Sequence, residues 1–319
     1  MLSRLRHALP LLAALLALTA LIFAPSAAKT SARAGLTLCA EMLVPSLLPF
    51  FILSGLLRRM GLPFLLGRVA EPLTLRLFGL SGAGASALLM GLTGGYPLGA
   101  AMLGDLVRDG GMKKEEAERA LCFCNNSGPA FLIGAAGTGV FHDRRIGLLL
   151  YVTHVLAAFI VGVLLAPRRG EDAVHVSVHI RSVTLAEELP SAIRDAVDAI
   201  LTVCGFAVFF SVLTGLLDAG GVLTSASLWL SGAIAASPQA ARAFLTGILE
   251  LGSGIGGMTG LPLLPEHTAL AAFLIGFGGL SVHCQTAAVL AGTGVSLKKH
   301  FWARILQGML AAGMMLAVG

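Results

Sequence analysis

Long uninterrupted apolar runs recur along the chain, at residues 8–24, 37–57, 146–166, 199–217 and 301–318. Their hydrophobic positions are continuous rather than alternating, which predicts helices and not half-buried strands. A helix needs about 20 mostly apolar residues to cross a bilayer, and these runs approach or reach that length. Inside lipid every backbone N–H and C=O must find a partner within the protein, so only helices and closed barrels span it. The pattern selects an all-α polytopic membrane protein.

Between these runs lie segments that are apolar but broken. Residues 78–104 are rich in glycine and carry Gly94-Gly95-Tyr96-Pro97, which would interrupt a helix. Residues 120–141 contain Cys124-Asn125-Asn126-Ser127-Gly128-Pro129. A second glycine-rich broken segment covers 243–264, and 268–295 is interrupted at Gly278 through Gln285. Unwound backbone at membrane depth is tolerated only where protein or a water-filled cavity covers it, so such segments predict kinked spans or re-entrant hairpins. Residues 60–77 place Arg68, Glu71 and Arg76 among leucines, as an amphipathic interfacial helix does. Residues 219–236 form a weaker apolar stretch, and 105–119 are polar.

The longest polar region, 167–198, divides the chain. Within it Val174, Val176, Val178 and Ile180 alternate with His175, Ser177 and His179 in a strand-like pattern. No further ligand stands at a matching spacing, so the two histidines read as a solvated loop rather than a metal site. The resulting organisation is an N-terminal transmembrane helix at 1–34, a membrane repeat at 35–166, a polar linker at 167–198 and a second membrane repeat at 199–319. Pro25-Ser26-Ala27-Ala28 would suit a signal peptidase, but a retained first helix is the expectation in so apolar a chain.

The repeat is visible in the residues. Phe50 to Leu57 matches Phe210 to Leu217, with Ser54-Gly55-Leu56-Leu57 answering Thr214-Gly215-Leu216-Leu217. A broken glycine-rich segment follows in each half, then a second interrupted helix ending at Ala136-Gly137-Thr138-Gly139-Val140 or Ala291-Gly292-Thr293-Gly294-Val295. The offset stays at about 155–160 residues. Paired interruptions at corresponding positions of two halves point to a transporter-type binding site. If both glycine-rich segments re-enter, the repeats are inverted. Arg58, Arg59, Arg168, Arg169, Lys298 and Lys299 then share one side, with Arg144 and Arg145 as the exception to the positive-inside rule.

Composition agrees with lipid as the solvent. Only 12% of the 319 residues are charged and 56% are hydrophobic, against about 25% charged in a soluble domain. The net charge of +5 comes from basic pairs at the ends of apolar runs, without interleaved aromatics, so no nucleic-acid partner is expected. The five cysteines lie in or beside apolar segments and read as small buried hydrophobes. No cofactor or metal motif is present. Neither His-Glu-x-x-His nor Gly-x-Ser-x-Gly occurs, so no enzyme is expected.

The candidate substrate-binding residues cluster at the breaks: Thr93, Gly94, Gly95, Asn125, Asn126, Ser127, Glu250, Ser253, Ser281, His283 and Gln285. Unwound backbone frees N–H and C=O groups there, and half-helix N-termini point partial positive charge at polar solutes. Glu250, between Leu249 and Leu251, is the clearest, since an ionisable residue in an apolar segment is functional by default. The alternatives stay open at this level: Glu250 as a satisfied structural carboxylate, and Asn125 and Asn126 as hydrogen-bonding glue between helices.

Four motifs carry a resemblance: Glu41-Met42-x-x-Pro45-Ser46-Leu47-x-Pro49-Phe50-Phe51, Gly91-x-x-Gly94-Gly95-Tyr96-Pro97, Asn125-Asn126-Ser127-Gly128-Pro129 and Gly278-Gly279-Leu280-Ser281-Val282. Together they resemble the sporulation integral membrane protein YlbJ family over about residues 35–310. That family is grouped with the nucleoside recognition (Gate) domain proteins, including spore maturation proteins A and B. The resemblance implies a nucleoside-transporter-like fold with re-entrant hairpins and broken helices. It further implies a protein of the bacterial cytoplasmic membrane, linked to building the spore envelope. It does not imply a nucleoside substrate, because no motif here specifies a base or a ribose.

Two functions follow as expectations. One is a permease-like transporter of a small polar solute, in contact with membrane lipid and open to a coupling ion or homo-oligomerisation that no residue pattern specifies. The other is a non-transporting scaffold or assembly partner of the sporulation membrane.

Overall fold

The structure is a computed structural model that describes residues 2–167, 184–234 and 236–318. It is helical throughout, with no strand among the described residues. The alternating segment with His175 and His179, and the Arg168-Arg169 pair, lie outside them.

Helix α1 (Leu2–Phe23) leads into α2, a 35-residue span over Pro25–Arg59. Proline at the first helical position starts α2 well before residue 37. Lys29, Ser31 and Arg33 lower the local hydropathy and so disguise that first turn, which places residue 34 inside a helix. A π-helical turn at Cys39–Leu43 interrupts α2, and Pro49 lies further along it. Helices α3 (Leu62–Phe78) and α4 (Gly82–Gly94) meet at a 93° bend, so the expected interfacial helix stands perpendicular to its successor. After Gly95-Tyr96-Pro97 comes α5 (Leu98–Arg108), then α6 (Lys114–Cys124). Asn125 to Pro129 break the chain before the π-helical α7 (Ala130–Val140) and the span α8 (Arg144–Leu164).

The second half repeats this order. Helix α9 (Leu185–Ala219) begins with a capping box between Thr184 and Glu187, so the second part of the expected linker is already helix. Helices α10 (Val222–Ile234) and α11 (Pro238–Leu249) follow, then α12 (Leu251–Gly256). Next come α13 (Pro265–Phe277), α14 (Gly279–Val289) and α15 (Lys298–Val318). The breaks are narrower than the glycine pattern suggested. In α11–α12 the interruption is Glu250 itself, and Gly252 to Gly256 are helical. In α13–α14 it is Gly278, held at φ +91°, while Leu280 to Gln285 are helical. Among the described residues, five helical segments are long and apolar enough to cross a membrane (α2, α8, α9, α13 with α14, and α15), or six if the bent α3–α4 pair counts as one span.

Glycine contacts repeat as well. A Cβ on Gly91 would lie 1.6 Å from the Cys124 carbonyl oxygen, and Gly99 meets the same oxygen and the Gly91 Cα. In a straight helix residues eight apart would be about 12 Å distant, so the α4 and α5 arms fold back on each other. A Cβ on Gly254 would lie 2.2 Å from the Gly247 Cα, and one on Gly279 would lie 2.7 Å from the Gly247 carbonyl oxygen. In both halves, then, two short arms close to backbone contact and press on the break of a neighbouring helix. Arms of 13 and 11 residues are too short to cross a bilayer singly.

Helices α2 and α9 occupy corresponding places and pack along their length. Arg59 bridges Glu188 and Asp195 at one end, Cys39 meets the Cys204 carbonyl midway, and Gly215 faces Ser31 at the other. The order of these contacts makes the two helices antiparallel. Arg58 also reaches Asp105, Arg108 reaches the Val289 carbonyl, and Lys299 reaches Glu118. Arg58, Arg59 and the Lys298-Lys299 pair thus gather at one end of the molecule, called here the basic end.

Candidate functional site

Where α2 and α9 cross at mid-length, the breaks of both halves converge. A cavity of about 50 Å³ lies there, room for a few water molecules. Its walls are mostly apolar, with Leu43 and Leu47 from α2, Val203 and Ala207 from α9, and Phe131, Leu251 and Val282. The polar lining is sparse and comes from the breaks: Gly95 and Tyr96, Ser127 and Gly128, Glu250 and Gly252, and Gln285.

Glu250 is 4% exposed and extended, so its carboxylate folds over the start of α12 and accepts from the Gly252 and Ser253 amides. The Ser281 hydroxyl, in the first turn of α14, donates to it at 3.4 Å. This carboxylate therefore meets free amides at a helix start, where negative charge is favoured.

The opposite arrangement stands behind Tyr96. Arg304 on α15 is 1% exposed, with its guanidinium 5.2 Å from the Tyr96 ring centroid. It donates to the Tyr96 hydroxyl, to the Ile275 carbonyl at 3.3 Å, to the Asn125 carbonyl at 3.1 Å and to the Gln307 side chain. Asn126 Oδ1 lies 3.5 Å away and accepts from Gln307 at 3.0 Å. No carboxylate touches this cation among the described residues. Two helices, α6 and α13, end beside it instead, each bringing roughly half a negative charge to its C-terminus. Two half-charges match one guanidinium. Arg304 thus ties the first hairpin through Tyr96, the first broken helix through Asn125 and the second through Ile275.

The remaining polar groups extend this cluster. The Ser127 amide donates to His154 Nε2 at 3.1 Å, and Asn125 donates to the Thr286 hydroxyl at 2.9 Å. Asn125 Oδ1 and His154 Nδ1 are buried without a partner among the described residues.

Of the residues expected from sequence, Gly95, Ser127, Glu250 and Gln285 line the cavity, with Ser281 directly behind Glu250. Gly94 is buried at the end of α4, and Asn125 and Asn126 belong to the Arg304 cluster. Thr93 points out of the core and hydrogen-bonds the Leu89 carbonyl. His283 turns away into a ring cluster with Phe277, His300 and Phe301. Ser253 lies one turn beyond the cavity, 3.3 Å from Ser211. Arg304, Gln307, Tyr96 and His154 were not among the expected site residues. Arg304 carries the same signal that marked Glu250, a charge inside an apolar run.

Two further cavities continue the line along the α2–α9 seam. At the basic end, about 60 Å³ is bounded by Phe51, Arg58, Met90, Leu98, Met102, Asp105 and Asp195. At the far end, about 360 Å³ is bounded by Ser31, Ser211, Asp218, Arg242, Thr246 and Ser253 among others. From Ser31 to Arg58 the helix rises about 40 Å at 1.5 Å per residue, comparable to a bilayer with its headgroups. Gly95 and Tyr96 line the central cavity and nearby Leu98 the basic-end one, while Glu250 and Gly252 line the central cavity and the next residue, Ser253, the far one.

The fold and its convergent breaks define a multi-pass helical membrane protein with a Gate-type core: the Gate family, described as nucleoside recognition, matches residues 40–166. The chain is also 32% identical to the sporulation integral membrane protein YlbJ of Bacillus subtilis strain 168, over 90% of its own length and 76% of the relative's. It belongs to the YlbJ family of sporulation integral membrane proteins. No solved structure matches the chain.

Proposed function

We propose that this protein is a permease-like transporter that moves a small polar solute across a bacterial cytoplasmic membrane during sporulation, by alternating exposure of two inverted repeats. The observation that carries this reading is the line of three cavities along α2 and α9, with a hairpin break from each half lining the central one. The antiparallel packing of the corresponding helices α2 and α9 supports inversion. The positive-inside rule makes the basic end cytoplasmic. No step in this reading is enzymatic.

The test is uptake into proteoliposomes of a radiolabelled panel holding a nucleoside, a polyol, an amino acid and an organic acid. At least one should accumulate, and Glu250→Gln with Gln285→Ala should cut its rate at least tenfold. An unchanged rate would remove the central cavity from the pathway.

One observation favours a scaffold instead: the centre is narrow, and Arg304, Gln307 and Asn126 are occupied with one another. Under that reading no panel member is taken up, and cysteines placed at Ser127 and Ser281 stay unreactive to water-borne thiol reagents.

A further inference from the structure

Helix α3 (Leu62–Phe78) lines none of the three cavities. It begins three residues after Arg59, and just past its end the Ser81 amide donates to Glu116, in the first turn of α6, at 2.8 Å. The chain passes from α5 to α6 at the basic end, where Asp105 meets Arg58. Both ends of α3 therefore belong to the basic end, and its 93° angle to α4 lays it across that end.

Its residues divide into three faces. Pro63, Gly67, Thr74 and Phe78 are buried. A Cβ on Gly67 would lie 2.2 Å from Ser86 Oγ on α4, the Ser86 hydroxyl donates to the Pro63 carbonyl at 2.8 Å, and the Glu71 carboxylate accepts from the Gly82 amide at 3.1 Å. This face clamps α3 to the first hairpin arm. Leu65, Val69, Leu73 and Leu77 stand four residues apart on an exposed row, Val69 at 74% and Leu73 at 60%. Beside it runs a second row with Arg68, Pro72 and Arg76, all exposed. Neither guanidinium makes a hydrogen bond or an ion pair among the described residues.

We propose that α3 is a docking surface for anionic phospholipid at the basic end, with Arg68 and Arg76 holding the headgroup phosphate and the leucine row seated among the acyl chains. So exposed an apolar row is favourable beside acyl chains and costly in water, and basic side chains flanking it are what a helix lying in the interface carries. Guanidinium groups pair with phosphate oxygens through two parallel hydrogen bonds, and these two have no protein partner to give up. The cytoplasmic leaflet, which the positive-inside rule places at this end, carries the negative surface potential that draws such residues in. Because the buried face grips the first hairpin arm, a lipid that fixes α3 also steadies α4, whose last residues lead to Gly95 and Tyr96 on the central cavity. None of this needs a transported solute.

Native mass spectrometry of the full chain, released from a non-ionic detergent, tests it by separate titration with phosphatidylglycerol and phosphatidylcholine of the same acyl chains. Phosphatidylglycerol adducts are expected at concentrations where phosphatidylcholine leaves the chain bare. One basic residue near an anionic surface is worth about fivefold in affinity, so Arg68→Gln with Arg76→Gln should weaken the adduct about thirtyfold. Arg144→Gln with Arg145→Gln, at the start of α8, should change it less than about twofold, and inorganic phosphate should displace nothing. In bilayer nanodiscs, phosphatidylglycerol should slow amide hydrogen exchange across α4 at least about threefold relative to phosphatidylcholine, and the Arg68, Arg76 double variant should lose that slowing. Equal binding of the two lipids, equal loss in both arginine pairs, or displacement by phosphate would overturn the lipid site. Exchange across α4 indifferent to the lipid would overturn its hold on the hairpin. A dimer that dissociates when Arg68 and Arg76 are substituted would assign the face to a second copy of the chain and overturn the proposal.

Discussion

At the basic end of the α2–α9 seam, Phe51, Met90, Leu98 and Met102 leave about 60 Å³, and Arg58 bridges to Asp105 and Asp195 across the opening. At the far end the positions about 155–160 residues further on are Ser211, Thr246, Ser253 and Gly257, the space is about 360 Å³, and the charged pair is Asp218 with Arg242. Both mouths use one glycine at the same place in the repeat, Gly55 or Gly215. They share a backbone plan, and they share an ion pair from scaffold helix to hairpin arm. They differ in what fills the plan. One backbone plan thus carries two sets of side chains, small and polar at the far end and large and apolar at the basic end, called here the wet and the dry mouth.

The comparison presupposes a rigid centre, and the largest effect is expected where that centre is held. Arg304→Met would leave the Asn125 carbonyl and the Gln307 side-chain oxygen without their donor, while the Tyr96 hydroxyl still donates to the Ile275 carbonyl at 3.1 Å. Each buried group so orphaned costs about 1–3 kcal/mol. Expected is loss of the folded, monodisperse protein on size-exclusion chromatography. Arg304→Lys should not rescue it, because one ammonium cannot reach acceptors spread over two breaks and a hairpin. A midpoint of thermal unfolding within about 1 °C of the parent for Arg304→Met would show that the two halves do not depend on this tie, because a loss of about 2 kcal/mol moves a chain of this length by roughly 3 °C.

The general fold was legible in the sequence because lipid imposes so strict a rule on backbone pairing. Apolar runs gave the spans, and glycine clusters gave the neighbourhoods of the breaks. The exact breaks were hidden, since Gly252 to Gly256 is glycine-rich yet helical, while the interruption falls on Glu250. The Glu250 carboxylate accepts from the first free amides of α12 and so caps that helix, while the glycines after it continue it. The site was half legible. Glu250 and Ser127 announced themselves as polar residues among apolar ones, and Arg304 did so equally but stood in an ordinary span, away from the glycine-rich breaks. Thr93 was misleading because a threonine inside a helix can satisfy its hydroxyl on the preceding turn and face outward. The wet and dry mouths are present in the paired positions of the two repeats. Their meaning needed the three-dimensional pairing of hairpin arm with scaffold helix.

A smaller effect should follow from giving the dry mouth the chemistry of the wet one. Met90→Thr with Leu98→Ser removes two partly or fully buried apolar side chains from the basic-end cavity. Large-to-small changes of this kind cost about 2–5 kcal/mol each in a close-packed core. Leu98 is only partly buried, so its share belongs at the low end. The expected outcome is a folded but less stable protein in which cysteine placed at Ala101, on the cavity wall, reacts several-fold faster with a water-borne thiol reagent. If labelling at Ala101 stays at the parent rate, the two mouths differ in more than these side chains, and packing of the hairpin itself must hold the basic end shut.

The smallest expected effect lies at the floor of the wet mouth. Ser211 Oγ and Ser253 Oγ are 3.3 Å apart, and both residues line the cavity. Ser211→Ala removes one neutral hydrogen bond whose remaining partner can turn to water, so the loss should be at or below about 0.5–1.5 kcal/mol. Its counterpart Phe51 makes the contrasting case, because Phe51→Ala in the dry mouth empties a buried aromatic site at about 3–5 kcal/mol. Chemical denaturation of the two variants side by side measures the asymmetry directly. A Ser211→Ala loss as large as that of Phe51→Ala would mean that the far mouth is packed, with its hydroxyls acting as structural ties, and the contrast between a wet end and a dry end would fall.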